Sequence, residues 1–168
     1  DWPAGAQEWR GENAASVSAF EFGKTPEDLS GTADAVLFIR ALHNLARFED
    51  QGGFLTTAIT DSYNVLKPGG IVGVVQHHAP DTASDEWANG SRGYLKKGFV
   101  IAQMQAAGFE FVASSDVNAN SKDQPAAEDI VWRLPPSLRG AKDNAELTAK
   151  MLAIGESNRM TLKFKKPL

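Results

Sequence analysis

The chain of 168 residues carries 17 Lys and Arg against 21 Asp and Glu, a formal charge of −4, with 42% hydrophobic residues and no cysteine. The size suits one domain with a core, and the lack of cysteine excludes disulfides, thiolate metal sites and a cysteine nucleophile. The basic residues are scattered except for Lys163, Lys165 and Lys166, so there is no concentrated positive face for nucleic acid.

The first 16 residues, D-W-P-A-G-A-Q-E-W-R-G-E-N-A-A-S, read as an irregular lead-in, and a start at Asp1 reads as processing or truncation. V-S-A-F-E-F (17–22) is rich in strand formers and precedes turn chemistry around Pro26. A-D-A-V-L-F-I-R (33–40) is a short apolar run, the pattern of a strand buried on both faces in a parallel sheet. From 53 to 66, Leu55, Ala58, Ile59 and Leu66 share one side of a helical repeat, with Asp61 and Asn64 off it. Pro68 and Gly69-Gly70 stop that helix, and I-V-G-V-V (71–75) forms the next strand. Strand, helix and strand make a crossover that brings two parallel strand ends to one edge.

Residues 81–94 are polar and read as mobile. A helix is expected from Leu95 to Ala107, with Phe99, Ala102, Met104 and Ala106 inward and Gly108 as its stop, followed by the strand F-E-F-V-A-S-S-D-V. Residues 117–143, with Pro125, Pro135, Pro136 and Gly140, form a long loop of the kind that is usually functional or disordered. A helix capped by Asn144 runs to about Ala153, and R-M-T-L-K-F-K (159–165) alternates as the last strand. No apolar run is long enough to cross a bilayer, and no signal peptide stands at the start, so a soluble chain is expected, cytoplasmic in preference to periplasmic.

All three histidines fall at strand ends, His43 after the 33–40 strand and His77 and His78 after 71–75, the edge where open α/β sheets bind ligands. Adjacent residues on an extended chain point to opposite faces, so His77 and His78 cannot chelate one ion together. A pocket or acid/base role outweighs a metal site built from His43, one of the pair and Asp81 or Glu86, and no metal is expected. Ser91, Ser114 and Ser115 lack a nucleophile-elbow context. Glu27 and Asp28 are solvated acids more often than ligand contacts. Arg133 and Arg139, flanking L-P-P-S-L, are by default surface ion-pairing residues, with an anionic ligand as the alternative.

The succession A-D-A-V-L-F-I-R…H-N-L, L-K-P-G-G-I-V-G-V-V-Q-H, M-Q-A-A-G-F-E-F-V and R-M-T-L-K-F-K-K-P resembles the second half of a class I S-adenosylmethionine-dependent methyltransferase. H-N-L, Q-H-H, V-W-R-L-P-P-S-L-R and A-I-G-E-S-N-R-M-T-L-K-F resemble a bacterial group of small-molecule methyltransferases. The resemblance implies an α/β, incomplete Rossmann-like sheet, mostly parallel with an antiparallel C-terminal strand and helices on both faces. The 17–22 strand would be its third. The family's first two strands and Gly-rich cofactor loop have no counterpart, which reads as a fragment of a longer enzyme.

The resemblance also implies a site. Thr25 and Pro26 fall where relatives contact the adenine of S-adenosylmethionine, and Ile39, Arg40 and Ala41 fall near its sulfonium. Asn44 and Gln76 lie at the acceptor side, where relatives often carry an acid in place of Gln76. His77 is the first candidate general base and His43 the second; independently of the resemblance, Trp87 and Tyr94 read as aromatic lid residues contacting the substrate or, equally, as partly buried anchors of that lid. The implied partner is a small molecule, with no nucleic acid and no membrane, and a homo-oligomer could form through the open sheet edge. A non-catalytic binding module with the same fold is the alternative.

Overall fold

The computed structural model describes Gly5, Ala6, Glu8 and Arg10 and residues 17–168. Four strands form one sheet: β1 (Ala33–Ile39), β2 (Leu66–His77), β3 (Glu110–Ser115) and β4 (Arg159–Lys165), in the spatial order β1-β2-β4-β3. β1 and β2 are parallel, and β4 runs antiparallel to both β2 and β3. Three strands therefore share one direction and only the C-terminal one is reversed, the α/β arrangement expected.

Helices α1 (Leu42–Ala46), α2 (Glu49–Gly52) and α3 (Phe54–Val65) fill the β1–β2 crossover, α4 (Lys97–Ala106) precedes β3, and α5 (Ala145–Ile154) precedes β4. Gly53, at φ 63°, takes the left-handed conformation that turns α2 into α3. The Glu49 carboxylate then accepts from the Leu55 N–H at 2.6 Å, satisfying a donor the first turn of α3 leaves open.

The core lies on the sheet face carrying Phe38, Val72, Val74, Met160, Leu162 and Phe164. Leu55, Ala58 and Ile59 of α3 and Val100 and Met104 of α4 pack on it. Helix α4 has the helical period expected but a different phase. Phe99, Ala102 and Ala106 are exposed, because the stripe that meets the sheet is Val100, Ile101, Met104 and Ala107.

Two further expectations change. Residues 17–22 form no strand: no chain pairs with them among the described residues, and a strand without a ladder leaves its backbone groups to water. Instead Asp61, buried on α3 where the pattern placed it outside, accepts from the Gly23 N–H at 2.6 Å and ties this stretch to the helix. Nor is β1 buried on both faces. Among the described residues it has β2 on one edge only, and Leu37 and Ile39 are 67% and 51% exposed on the face opposite Phe38.

Residues 79–94 do not stand apart from the body. Ala79, Ala88 and Tyr94 are buried with Val131 and are flanked by Trp87 and Trp132. Gly93, at φ 89°, allows that closeness: a Cβ there would overlap the Val131 side chain. Gly93→Ala is expected to cost about 2–4 kcal/mol, from the positive φ and the overpacking together, measured by urea denaturation.

Candidate functional site

At the carboxyl ends of β1 and β2 lies a half-open cavity of about 330 Å³. Ile39, Arg40, His43 and Asn44 line it from β1 and α1, and His77 from the end of β2. Trp132, Pro135 and Pro136 line it from the long loop, and Glu156, Ser157 and Arg159 from the approach to β4. The volume falls at the small end of ligand pockets.

His43 and His77 are both buried, with ring centroids 5.3 Å apart. The edge of Trp132 meets His43 at 5.7 Å between centroids. Gln76, fully buried, sets the state of His43. Its Oε1 accepts from the His43 backbone N–H at 3.3 Å and lies 3.2 Å from His43 Nδ1, while its Nε2 donates to Gly93 O at 2.9 Å. An amide oxygen can only accept, so His43 Nδ1 must carry the proton and Nε2 keeps the lone pair. His77 Nδ1 lies 2.6 Å from the Ser157 hydroxyl, which can rotate to donate or accept and so serve either tautomer.

Burial, followed by the charges of His43, Arg159 and Arg40, pushes the His77 pKa down to about 3, and burial also lowers that of His43. Both rings are therefore neutral at pH 7. His78 does not line the cavity and lies 3.8 Å from the Asp81 carboxylate on the other side of the chain.

Ile39, Arg40, His43, Asn44 and His77 thus meet in one cavity. Thr25, Pro26 and Ala41 do not line it, and Gln76 reaches it only through His43. Trp87 and Tyr94 stand behind the wall, stacked on each other at 5.4 Å with Tyr94 fully buried. Sequence reasoning assigned no part to Trp132, Glu156, Ser157 or Arg159. The motifs V-W-R-L-P-P-S and G-E-S-N-R were visible, but which of their residues turn inward depends on the path of the loop. Among the described residues no group of three or more His, Cys, Asp or Glu could hold a metal ion, and no helix is long and apolar enough to cross a membrane.

The Gln76 network carries a prediction. Gln76→Met keeps the volume and removes both polar ends, leaving the His43 and Gly93 backbone groups unpaired in the interior. It should cost about 2–6 kcal/mol in a denaturant titration, at about 1–3 kcal/mol for each unpaired group.

No family model matches the chain, and no curated protein is similar to it in sequence. Solved structures of S-adenosylmethionine-dependent methyltransferase fold are similar to it in shape. One is the [4+2]-cyclase SpnF, with 21% identity, covering 92% of this chain and 55% of that one at a TM-score of 0.53. A putative methyltransferase in complex with the Haloferax volcanii Trm112 activator is 16% identical and covers 99% of this chain and 67% of that one, at a TM-score of 0.59. The Burkholderia thailandensis 1,6-didemethyltoxoflavin-N1-methyltransferase is 14% identical and covers 99% and 56%, at 0.52. The chain spans between 55% and 67% of the length of these structures. Its fold is the α/β fold of class I methyltransferases.

Proposed function

We propose that the chain contributes the acceptor side of an S-adenosylmethionine-dependent methyltransferase acting on a small molecule. The observation that carries this reading is the open cleft at the carboxyl edge of a methyltransferase-type sheet, with two neutral imidazoles on its wall. Methyl transfer from a sulfonium needs the acceptor atom held in line and, for an O–H or N–H acceptor, a group to take its proton. His43 Nε2 has the lone pair for that, because Gln76 holds the proton on Nδ1. His77 can do the same when Ser157 accepts from its Nδ1–H. Trp132, Pro135 and Pro136 exclude water from one side.

S-adenosylmethionine would supply the methyl group when bound. The residues present fit one flank of it: Ile39 is half-exposed at the cavity, Arg40 stands beside it, and Thr25 has a buried hydroxyl oxygen with no hydrogen-bond partner. For the ribose hydroxyls the lining offers a single carboxylate, Glu156, already engaged by Arg159. The described residues therefore hold part of the cofactor and not all of it. Calorimetric titration of this chain with S-adenosylmethionine should give a Kd weaker than about 1 mM, against tight binding by a longer chain that includes the upstream sequence. Low-micromolar binding by the 168-residue chain would contradict the first expectation, and no binding by the longer one would sink the enzymatic reading.

One observation favours a second reading, a binding module. β1 has a free edge beside exposed Leu37 and Ile39, a template onto which another strand, including that of a second copy, could add. That reading gains if the longer chain binds no cofactor yet sediments as a dimer.

A further inference from the structure

We propose that the cavity recognises a small planar anion, a ring bearing a carboxylate or phosphate, through Arg40 and Arg159. This rests on the acceptor-site reading above and narrows its substrate class.

The argument begins with the charge lining the cavity. Two guanidiniums, Arg40 and Arg159, face a single acid, Glu156, and both histidines are neutral, so one positive charge is uncompensated. Arg40 makes no ion pair among the described residues. It also holds an unfavourable backbone, φ 54° without being glycine, fixed by its N–H donating to Val75 O at 2.7 Å. Strained positive-φ side chains concentrate at ligand sites. Arg159 spends one nitrogen on Glu156 at 2.5 Å, but its Nε is buried with no hydrogen-bond partner. A buried unpaired guanidinium N–H costs free energy until an acceptor meets it.

Shape supplies the rest. About 330 Å³ admits one or two rings, and Trp132, His43 and His77 give the lining aromatic surface against which a ring can pack. Guanidinium prefers planar oxyanions, which it binds with two parallel hydrogen bonds. The cationic alternative, an ammonium-bearing acceptor, would meet the wrong sign of field.

The test uses the 168-residue chain without cofactor, so its outcome is independent of methyl transfer. Salicylate, phenyl phosphate and the neutral salicylamide are titrated and followed by NMR of the histidine ring protons. The expected result is at least tenfold tighter binding of one or both anions than of salicylamide, with the His77 resonances shifting and their midpoint moving up in pH. Arg40→Gln, at an exposed position, should remove most of that preference while leaving the fold intact. Arg159→Gln should do the same, and Arg159→Lys should restore only part of it, since Lys lacks the fork. Which anion binds tighter tells carboxylate from phosphate. Equal affinities for anion and amide, no binding of any of the three, or an anion preference that survives both Gln variants would overturn the proposal. Failure of cofactor binding by a longer chain would leave this result standing, so the two readings fail separately.

Discussion

Replacing Asp123 by Ala is expected to cost about 3–5 kcal/mol of stability, the usual effect of removing one partner from a buried ion pair. The Asp123 side chain has no exposure and that of Arg133 only 10%. Arg133 Nη2 donates to Asp123 Oδ1 at 2.8 Å, Arg133 Nη1 donates to the Tyr94 hydroxyl at 2.8 Å, and that hydroxyl donates to Asp123 Oδ2 at 3.0 Å. Burial and then the neighbouring carboxylate push the Tyr94 phenol up, so it stays protonated and able to donate at any physiological pH. Asp123 Oδ2 also accepts from the Asn158 backbone N–H at 2.9 Å, one residue from the Ser157 that meets His77.

The loss of Asp123 should therefore be felt in two places. Arg133 loses its best-buried counter-ion and the Asn158 N–H loses its acceptor, so the long loop detaches from the segment entering β4. Denaturation measures the first effect. Hydrogen exchange at the Asn158 amide measures the second, with at least a hundredfold faster exchange expected from sub-global opening. An Asp123→Leu, Arg133→Met pair should recover part of the stability, because an apolar pair of similar volume avoids the unpaired charge while the Asn158 N–H and the Tyr94 hydroxyl stay without their partners. If Asp123→Ala unfolds within about 1 kcal/mol of the parent chain, the network does not anchor the loop.

This anchoring explains where sequence reading stopped. The two parallel strands, the helix between them and the last strand were legible because each carries its own local pattern, an apolar run or a strict alternation bounded by Pro and Gly, while the reversal of the last strand came from the family resemblance. The edge position of His43 and His77 followed from those elements. Tyr94 was read as a lid residue because an aromatic in a polar stretch has no periodicity to place it. Its hydroxyl is instead held by Asp123 and Arg133, 29 and 39 residues away. Trp132, Ser157 and Arg159 reach the cavity through the same long-range ties, and no local rule joins G-E-S-N-R to Q-H-H. The 17–22 stretch failed for a different reason. Its composition suits a strand, but a strand exists only beside a partner, and here Asp61 holds the chain as a turn.

Acidification is expected to separate the parent chain from His77→Asn by a difference in slope. The folded His77 titrates near 3, below the 6.5 of an ordinary imidazole. Above pH 6.5 neither the folded nor the unfolded ring carries a proton, and the residue has no linkage effect. Below that, the unfolded chain takes up a proton that the folded chain refuses, so stability falls as the pH drops, at about 1.4 kcal/mol per pH unit, until both forms are protonated near pH 3. Over that window the loss is on the order of 5 kcal/mol. His43, lowered in the same direction by burial, adds to the slope in both proteins, as do the carboxylates. The difference between parent and His77→Asn in urea titrations at pH 7, 6, 5 and 4 therefore isolates His77, and coincident slopes would show that the ring is not held neutral by its surroundings. The same quantity bears on chemistry. An imidazole with so low a value accepts protons poorly; burial is the main cause, and the nearby charges of Arg159 and Arg40 add to it. An anion seated between those guanidiniums would offset their part of the field and raise the proton affinity of His77, while burial, the larger cause, would still hold it below that of an ordinary imidazole.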